Sequence, residues 1–187
     1  MFDLLIYNCR IVDGSGAPWY RGNVAVKDGR IVKIGTCSMV KDSEAVETVD
    51  GGDLYLAPGF IDIHSHSDIT LMKYPQAESR ILQGITTEIG GNCGMSAAPV
   101  SEDEKRKKEL EAYIGEMDYD WHTVGEFLKK VQQCRPSVNF GTEVGHGTIR
   151  IAVMGFENRK SDDTEMDEMK DILRNALEDG AFAMSSG

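Results

Sequence analysis

No run of 18 apolar residues occurs in the sequence, and no basic region leads into an apolar stretch at its N-terminus. A membrane-spanning helix needs about 20 such residues, so neither a span nor a signal peptide is expected. Basic surface is also scarce. Twenty Lys and Arg stand against 31 Asp and Glu, a formal net charge of -11, and the basic stripe of a nucleic-acid surface is missing. That charge leaves a small-molecule substrate open, because the local field of a site can oppose the global one. Cysteine is sparse and scattered. Cys9, Cys37, Cys93 and Cys134 form no CxxC pair, so neither a zinc ribbon nor a disulfide framework is suggested. With no export signal the thiols are expected to be reduced, in the cytoplasm, three of them as packing residues. Cys93 is the exception. What remains is 187 residues that are 41% hydrophobic and 27% charged, the composition of a folded globular chain of one domain or two small ones.

The first 57 residues read as β structure. Apolar runs at 2–7, 24–26 and 31–34 are strands, the last two joined across Lys27-Asp28-Gly29-Arg30. An Asp-Gly pair between apolar runs is a strong hairpin signal. Runs at 46–49 and 54–56 around Asp50-Gly51-Gly52-Asp53 read as a further pair of short strands. No convergent set of polar side chains marks this region, which is taken as structural.

From Ala57-Pro58-Gly59 onward, strands and helices alternate. Strands are predicted at 60–64, 85–89 and 138–144, with a fourth beginning at 181–184. Helices are predicted at 76–83, 101–117 with Ser101 in a capping box, 123–134, and 161–178. In the last helix Met166, Met169, Ile172, Leu173 and Leu177 share a face. The order implies parallel strands joined by crossovers, which an open doubly wound sheet and a TIM barrel both satisfy. About 130 residues with four strands would be half of a barrel, which needs eight strands and about 250 residues. The chain also stops directly after a strand, so a fragment is expected. The domains expected are 1–57 and 58–187, with a helical insertion at about 99–135.

The chemistry concentrates at strand ends. His64-Ser65-His66 closes the first parallel strand, and side chains two apart on a strand share a face. Two neutral imidazoles there, where α/β sheets keep their active sites, suit one divalent cation. Cys93, among the glycines of Gly90-Gly91-Asn92-Cys93-Gly94, follows the next strand, and its thiolate is a good zinc ligand. His146, in Gly145-His146-Gly147 after the third strand, reads as a residue lining the site, whether ligand, substrate contact or donor to another group. Glu143 is either an inward carboxylate or a paired acid. Asp68 reads as an acceptor holding a ligand histidine, or as a turn former. His122 lacks such context and reads as structural.

These segments together resemble the amidohydrolase superfamily, in particular its D-aminoacylase branch, the N-acyl-D-amino-acid deacylases. The anchors are the run from Ala57-Pro58-Gly59-Phe60-Ile61-Asp62 through His64-Ser65-His66-Ser67-Asp68, then Gly91-Asn92-Cys93-Gly94-Met95-Ser96, and Gly145-His146-Gly147-Thr148-Ile149-Arg150. The first is general to the superfamily, whereas Gly-Asn-Cys-Gly marks the branch. Ser67 departs from the acid the branch often carries there.

The resemblance implies the N-terminal part of a TIM-like metal-dependent hydrolase barrel, preceded by a small β-sandwich segment that belongs to a domain built from both chain ends. It implies a zinc centre of one or two ions to which His64, His66 and Cys93 contribute. It implies hydrolysis of N-acyl-D-amino acids, the small-molecule partner, to a carboxylate and a D-amino acid. Zinc would polarise the amide carbonyl and acidify water. The family's later histidine pair and its aspartate general acid/base would lie beyond Gly187, so the 187 residues alone are expected to hydrolyse nothing efficiently.

Two other readings compete. A cyclic-amide amidohydrolase of the dihydroorotase or hydantoinase kind would use a carboxylated lysine and leave Cys93 idle. A non-catalytic piece of such a barrel would keep the fold without the reaction.

Overall fold

The computed structural model describes residues 1–36 and 45–187, so Cys37 lies outside the described residues. The chain forms two compact units, Met1–Pro58 and Gly59–Gly187.

The first unit is a mixed sheet of β1 (Phe2–Ile11), β2 (Tyr20–Lys27), β3 (Arg30–Gly35), β4 (Ala45–Asp50) and β5 (Tyr55–Leu56). Its order is β3-β2-β1-β4, with β5 also on β1. The predicted hairpin joins β2 to β3, and Asp28 and Gly29 both carry positive φ, 51° and 70°. That is the two-residue turn whose twist matches the flanking strands. The last two expected strands are both present and do not pair with each other. Each instead runs parallel to β1, Ile6 beside Val49 and Arg10 beside Tyr55. The turn between them finds its partners on β1, Gly51 N donating to Tyr7 O and Asp53 N to Asn8 O. Leu5 and Ala25 are fully buried in this sheet, and Cys9 is packed as expected.

The second unit begins with β6 (Phe60–Asp62), α1 (Ser67–Thr70), α2 (Glu78–Ile81) and β7 (Ile85–Gly90). Next come α3 (Glu104–Ile114), α4 (Val124–Cys134), β8 (Asn139–Thr142) and β9 (Val144–Gly145). It ends with α5 (His146–Met154), α6 (Asp163–Glu178) and β10 (Met184–Ser185). β6, β7 and β8 form a parallel sheet in that order, and β9 pairs in parallel with β10. The single predicted third strand is thus two short ones, split at Glu143. β8 serves β7 and β9 serves β10.

Among the described residues, helices cover only one face of this sheet. Phe140, opposite Glu88, joins the core, where Trp121, Phe127 and Phe140 stack at 5.5 and 6.1 Å between ring centres. On the other face Gly141 approaches Phe182 and Ile89, and Ile61 and Phe182 stand exposed. A doubly wound sheet carries helices on both faces, whereas a barrel wall carries them outside only. The layering is that of a barrel wall.

The helices start where short polar side chains satisfy unpaired backbone N–H groups. Asp103, rather than Ser101, caps α3 by accepting from Lys105 N and Arg106 N. Thr123 with Glu126 and Asp162 with Glu165 form capping boxes on α4 and α6. Met169 and Ala176 are buried on α6, while Met166 and Leu177, predicted to share the packed face, are exposed. Helix α5 was not predicted. Gly145-His146-Gly147 reads as a loop, yet it opens a helix whose Ile149, Ile151, Val153 and Met154 are all buried.

Arg159 clamps the start of α6 with both guanidinium nitrogens on Glu165. Those bonds, with the Asp162 N–H, pull the Glu165 carboxyl from 4.5 down to about 2. Folded protein therefore binds fewer protons there, and the stability this gives is present above pH 4.5 and lost as pH falls toward 2. Arg159→Ala should raise the Glu165 titration midpoint and remove part of that acid-side loss. NMR titration of the Glu165 side chain checks it, and an unchanged midpoint contradicts it.

Candidate metal centre

β6 ends at Asp62, two residues earlier than predicted, because the Asp62 carboxylate accepts from His64 N at 3.1 Å and turns the chain. His64 and His66 therefore do not project from a strand. Their common side is kept by the serines between and after them. Ser65 and Ser67 are buried with their hydroxyls 2.8 Å apart, which leaves both histidines exposed. The two rings lie 6.0 Å apart, centre to centre, at 75°. Ser65 N donates to Ile89 O, which ties this turn to the end of β7.

Beyond β7 the backbone enters a tight turn. Gly91, Cys93 and Gly94 have φ of 76°, 56° and 74°. This left-handed region costs an L residue about 1–2 kcal/mol and suits glycine. A Cβ on Gly91 would lie 2.0 Å from Glu143 O. The turn delivers Cys93 Sγ to 3.1 Å from His64 Nε2. One ligating atom each from His64, His66 and Cys93 lies within 4.8 Å of the others, and all three residues are exposed.

This donor set fits zinc. A tetrahedral ion with Zn–N of about 2.0–2.1 Å and Zn–S of about 2.3 Å sets its donors about 3.3–3.6 Å apart. Side-chain adjustments of under about 1.5 Å would bring the three atoms to that spacing. Two imidazoles and a thiol are also the ligand types zinc takes.

Of the other predicted site residues, His146 is exposed at the first turn of α5, outside the donor set. Its helix touches the Cys93 turn through Thr148 N and Gly94 O at 3.3 Å. Asp68, expected to hold a ligand histidine or to form a turn, lies within electrostatic reach of His66. It is wholly buried, and its Oδ2 accepts from Ala97 N at 3.1 Å. Burial pushes its carboxyl up to about 6, against the backbone N–H groups of Ala97 and Gly91, which pull it down. Glu143 is half-buried between β8 and β9 and outside the donor set. His122 bonds Val100 O, in keeping with its structural reading. The sequence reading missed Asn92, whose Nδ2 donates to Ser65 O and Ile89 O and so joins the histidine turn to the cysteine turn. Its place inside Gly-Asn-Cys-Gly was the available signal.

Fold and donors define a class, a barrel-type parallel α/β chain that gathers nitrogen and sulfur donors at the carboxyl ends of its strands. The chain belongs to the amidohydrolase family, whose sequence profile matches residues 47–187. It is 36% identical, over 99% of its length, to N-acyl-D-aspartate deacylase of Alcaligenes xylosoxydans xylosoxydans. A solved N-acyl-D-glutamate deacylase from Bordetella bronchiseptica, complexed with zinc and a phosphonate mimic of the tetrahedral intermediate, matches with a TM-score of 0.88 at 35% identity. All of this chain is covered, and 38% of that one. A solved D-aminoacylase with a binuclear metal centre matches at 0.84 and 31% identity, covering all of this chain and 39% of that one. The chain spans 36% of the length of the N-acyl-D-aspartate deacylase.

Gly91→Ala should cost more than about 2 kcal/mol in denaturant unfolding, from the left-handed φ and the contact with Glu143 O together. A cost below about 0.5 kcal/mol, the scale of a neutral surface change, would contradict the turn described.

Proposed function

We propose that residues 1–187 supply His64, His66 and Cys93 to the zinc centre of an enzyme that hydrolyses N-acyl-D-amino acids to a carboxylate and a free D-amino acid. The observation that carries the reading is the thiol of Cys93 beside the histidine pair, 3.1 Å from His64 Nε2. The deacylase relatives support the substrate class, and the zinc-bound one supports the metal. Bound zinc supplies a Lewis acid for the amide carbonyl and lowers the pKa of water. The chain's own part is to hold two neutral imidazoles and a thiolate on one open side. The serines and Asp68 lie buried beneath them, and the exposed rim is left for substrate. His146 is proposed to line that rim from α5. A reducing compartment, the cytoplasm, suits a thiolate donor. No helix of the described residues is long and apolar enough to cross a membrane.

A cyclic-amide hydrolase gives Cys93 no task, and the donor set therefore favours the linear amide. By themselves the 187 residues are proposed to bind metal without efficient turnover. Among the described residues no carboxylate joins the three donors to act as general acid or base.

Purified chain should retain about one zinc, and Cys93→Ala should lose most of it on dialysis. Unchanged zinc content in that variant would sink the ligand assignment. In the protein that carries residues 1–187, free D-amino acid should be released from N-acetyl-D-amino acids, and Cys93→Ala should lower the rate at least about 100-fold. Hydrolysis of hydantoin or dihydrouracil in preference would overturn the substrate class.

A further inference from the structure

Cys93 sits in a conformation an L residue does not choose, and its surroundings over-determine it. Ser185, on β10, is 8% exposed and lies under the turn. Its Oγ donates to Gly91 O at 2.5 Å and accepts from Gly94 N at 3.0 Å. One hydroxyl thus bonds the backbone on both sides of Cys93, from more than 90 residues away in sequence. The Gly187 backbone lies against the same turn, where a Cβ would come 2.3 Å from Cys93 O. Asn92, Asp68 and Thr148 brace the turn from other directions, and Met95 N closes it from within by donating to Asn92 O at 2.9 Å. Among the described residues Ser185 is the side chain that bonds on both sides of Cys93.

We propose that Ser185 is a positioning residue for the metal site, its hydroxyl stapling the Gly91–Gly94 turn so that Cys93 Sγ stays beside His64 Nε2. The proposal rests on the reading of Cys93 as a zinc ligand. A residue held at positive φ relaxes toward the extended or right-handed region when its constraints are removed. Rotation about the Cys93 backbone would then carry Sγ away from the imidazoles. The hydroxyl must donate and accept at once. Threonine keeps both capacities and alanine has neither.

The test uses the 187-residue chain with cobalt(II) as the probe and zinc by competition. Unsubstituted chain should show an intense thiolate-to-cobalt absorption that Cys93→Ala abolishes. Ser185→Ala should weaken zinc binding about 10–100-fold, the range for groups that orient ligands. It should also diminish the thiolate band more than the ligand-field bands, and Ser185→Thr should restore both. A merely structural role would change stability and leave the thiolate band of the folded protein intact. Exchange of the Gly94 amide in metal-free protein reads the staple independently, and Ser185→Ala should accelerate it while helix amides stay protected. Zinc affinity within twofold of the unsubstituted chain, with a full thiolate band, would overturn the proposal and leave the zinc reading standing. Absence of the thiolate band from the unsubstituted chain would overturn both.

Discussion

A cysteine held at a φ of 56°, between glycines at 76° and 74°, is the constraint on which the site depends. The conformation costs about 1–2 kcal/mol for a residue with a Cβ, so it persists only where other contacts hold it. Those contacts come from every neighbouring strand end. Asn92 reaches the histidine turn, Asp68 draws the Gly91 N–H, Thr148 brings in α5, and Ser185 brings in β10. The thiol therefore has a fixed place relative to two imidazoles before any ligand arrives. That is the preorganisation a metal site needs.

The fold explains why these turns meet. Parallel strands point their carboxyl ends the same way, so the turns after β6, β7 and β9 open on one side. Helices cover one face of the sheet, through the aromatic stack from Trp121 to Phe140, and fix the positions of the strands. Specificity and reaction, in turn, rest on what surrounds the open rim. The chain covers only 36–38% of the length of the deacylases it is similar to.

Much of this was legible in the residues, for reasons that differ by position. His64 and His66 stood out because His-x-His follows an apolar run, although the strand itself ends at Asp62. The alternation that brings them together proved to be enforced by buried Ser65 and Ser67, where strand geometry was expected. Cys93 was readable from its glycines, which announce positive φ. Asp68 was open to two readings, and its complete burial, with Oδ2 accepting from Ala97 N, had no signal in the local sequence. Helix α5 escaped because two glycines hide its start and its buried residues, Thr148, Ile149 and Ile151 to Met154, show little helical periodicity. Ser185 had no local signal at all. Its partners lie more than 90 residues away, and only the pairing of β10 with β9 brings it there.

The central claim is that nitrogen and sulfur from these two turns meet on one ion. X-ray absorption at the zinc edge of the zinc-loaded chain reads that most directly. The account predicts a first shell with imidazole nitrogen at about 2.0–2.1 Å and one sulfur at about 2.3 Å, the sulfur vanishing in Cys93→Ala. A shell of nitrogen and oxygen alone in the unsubstituted chain would contradict it.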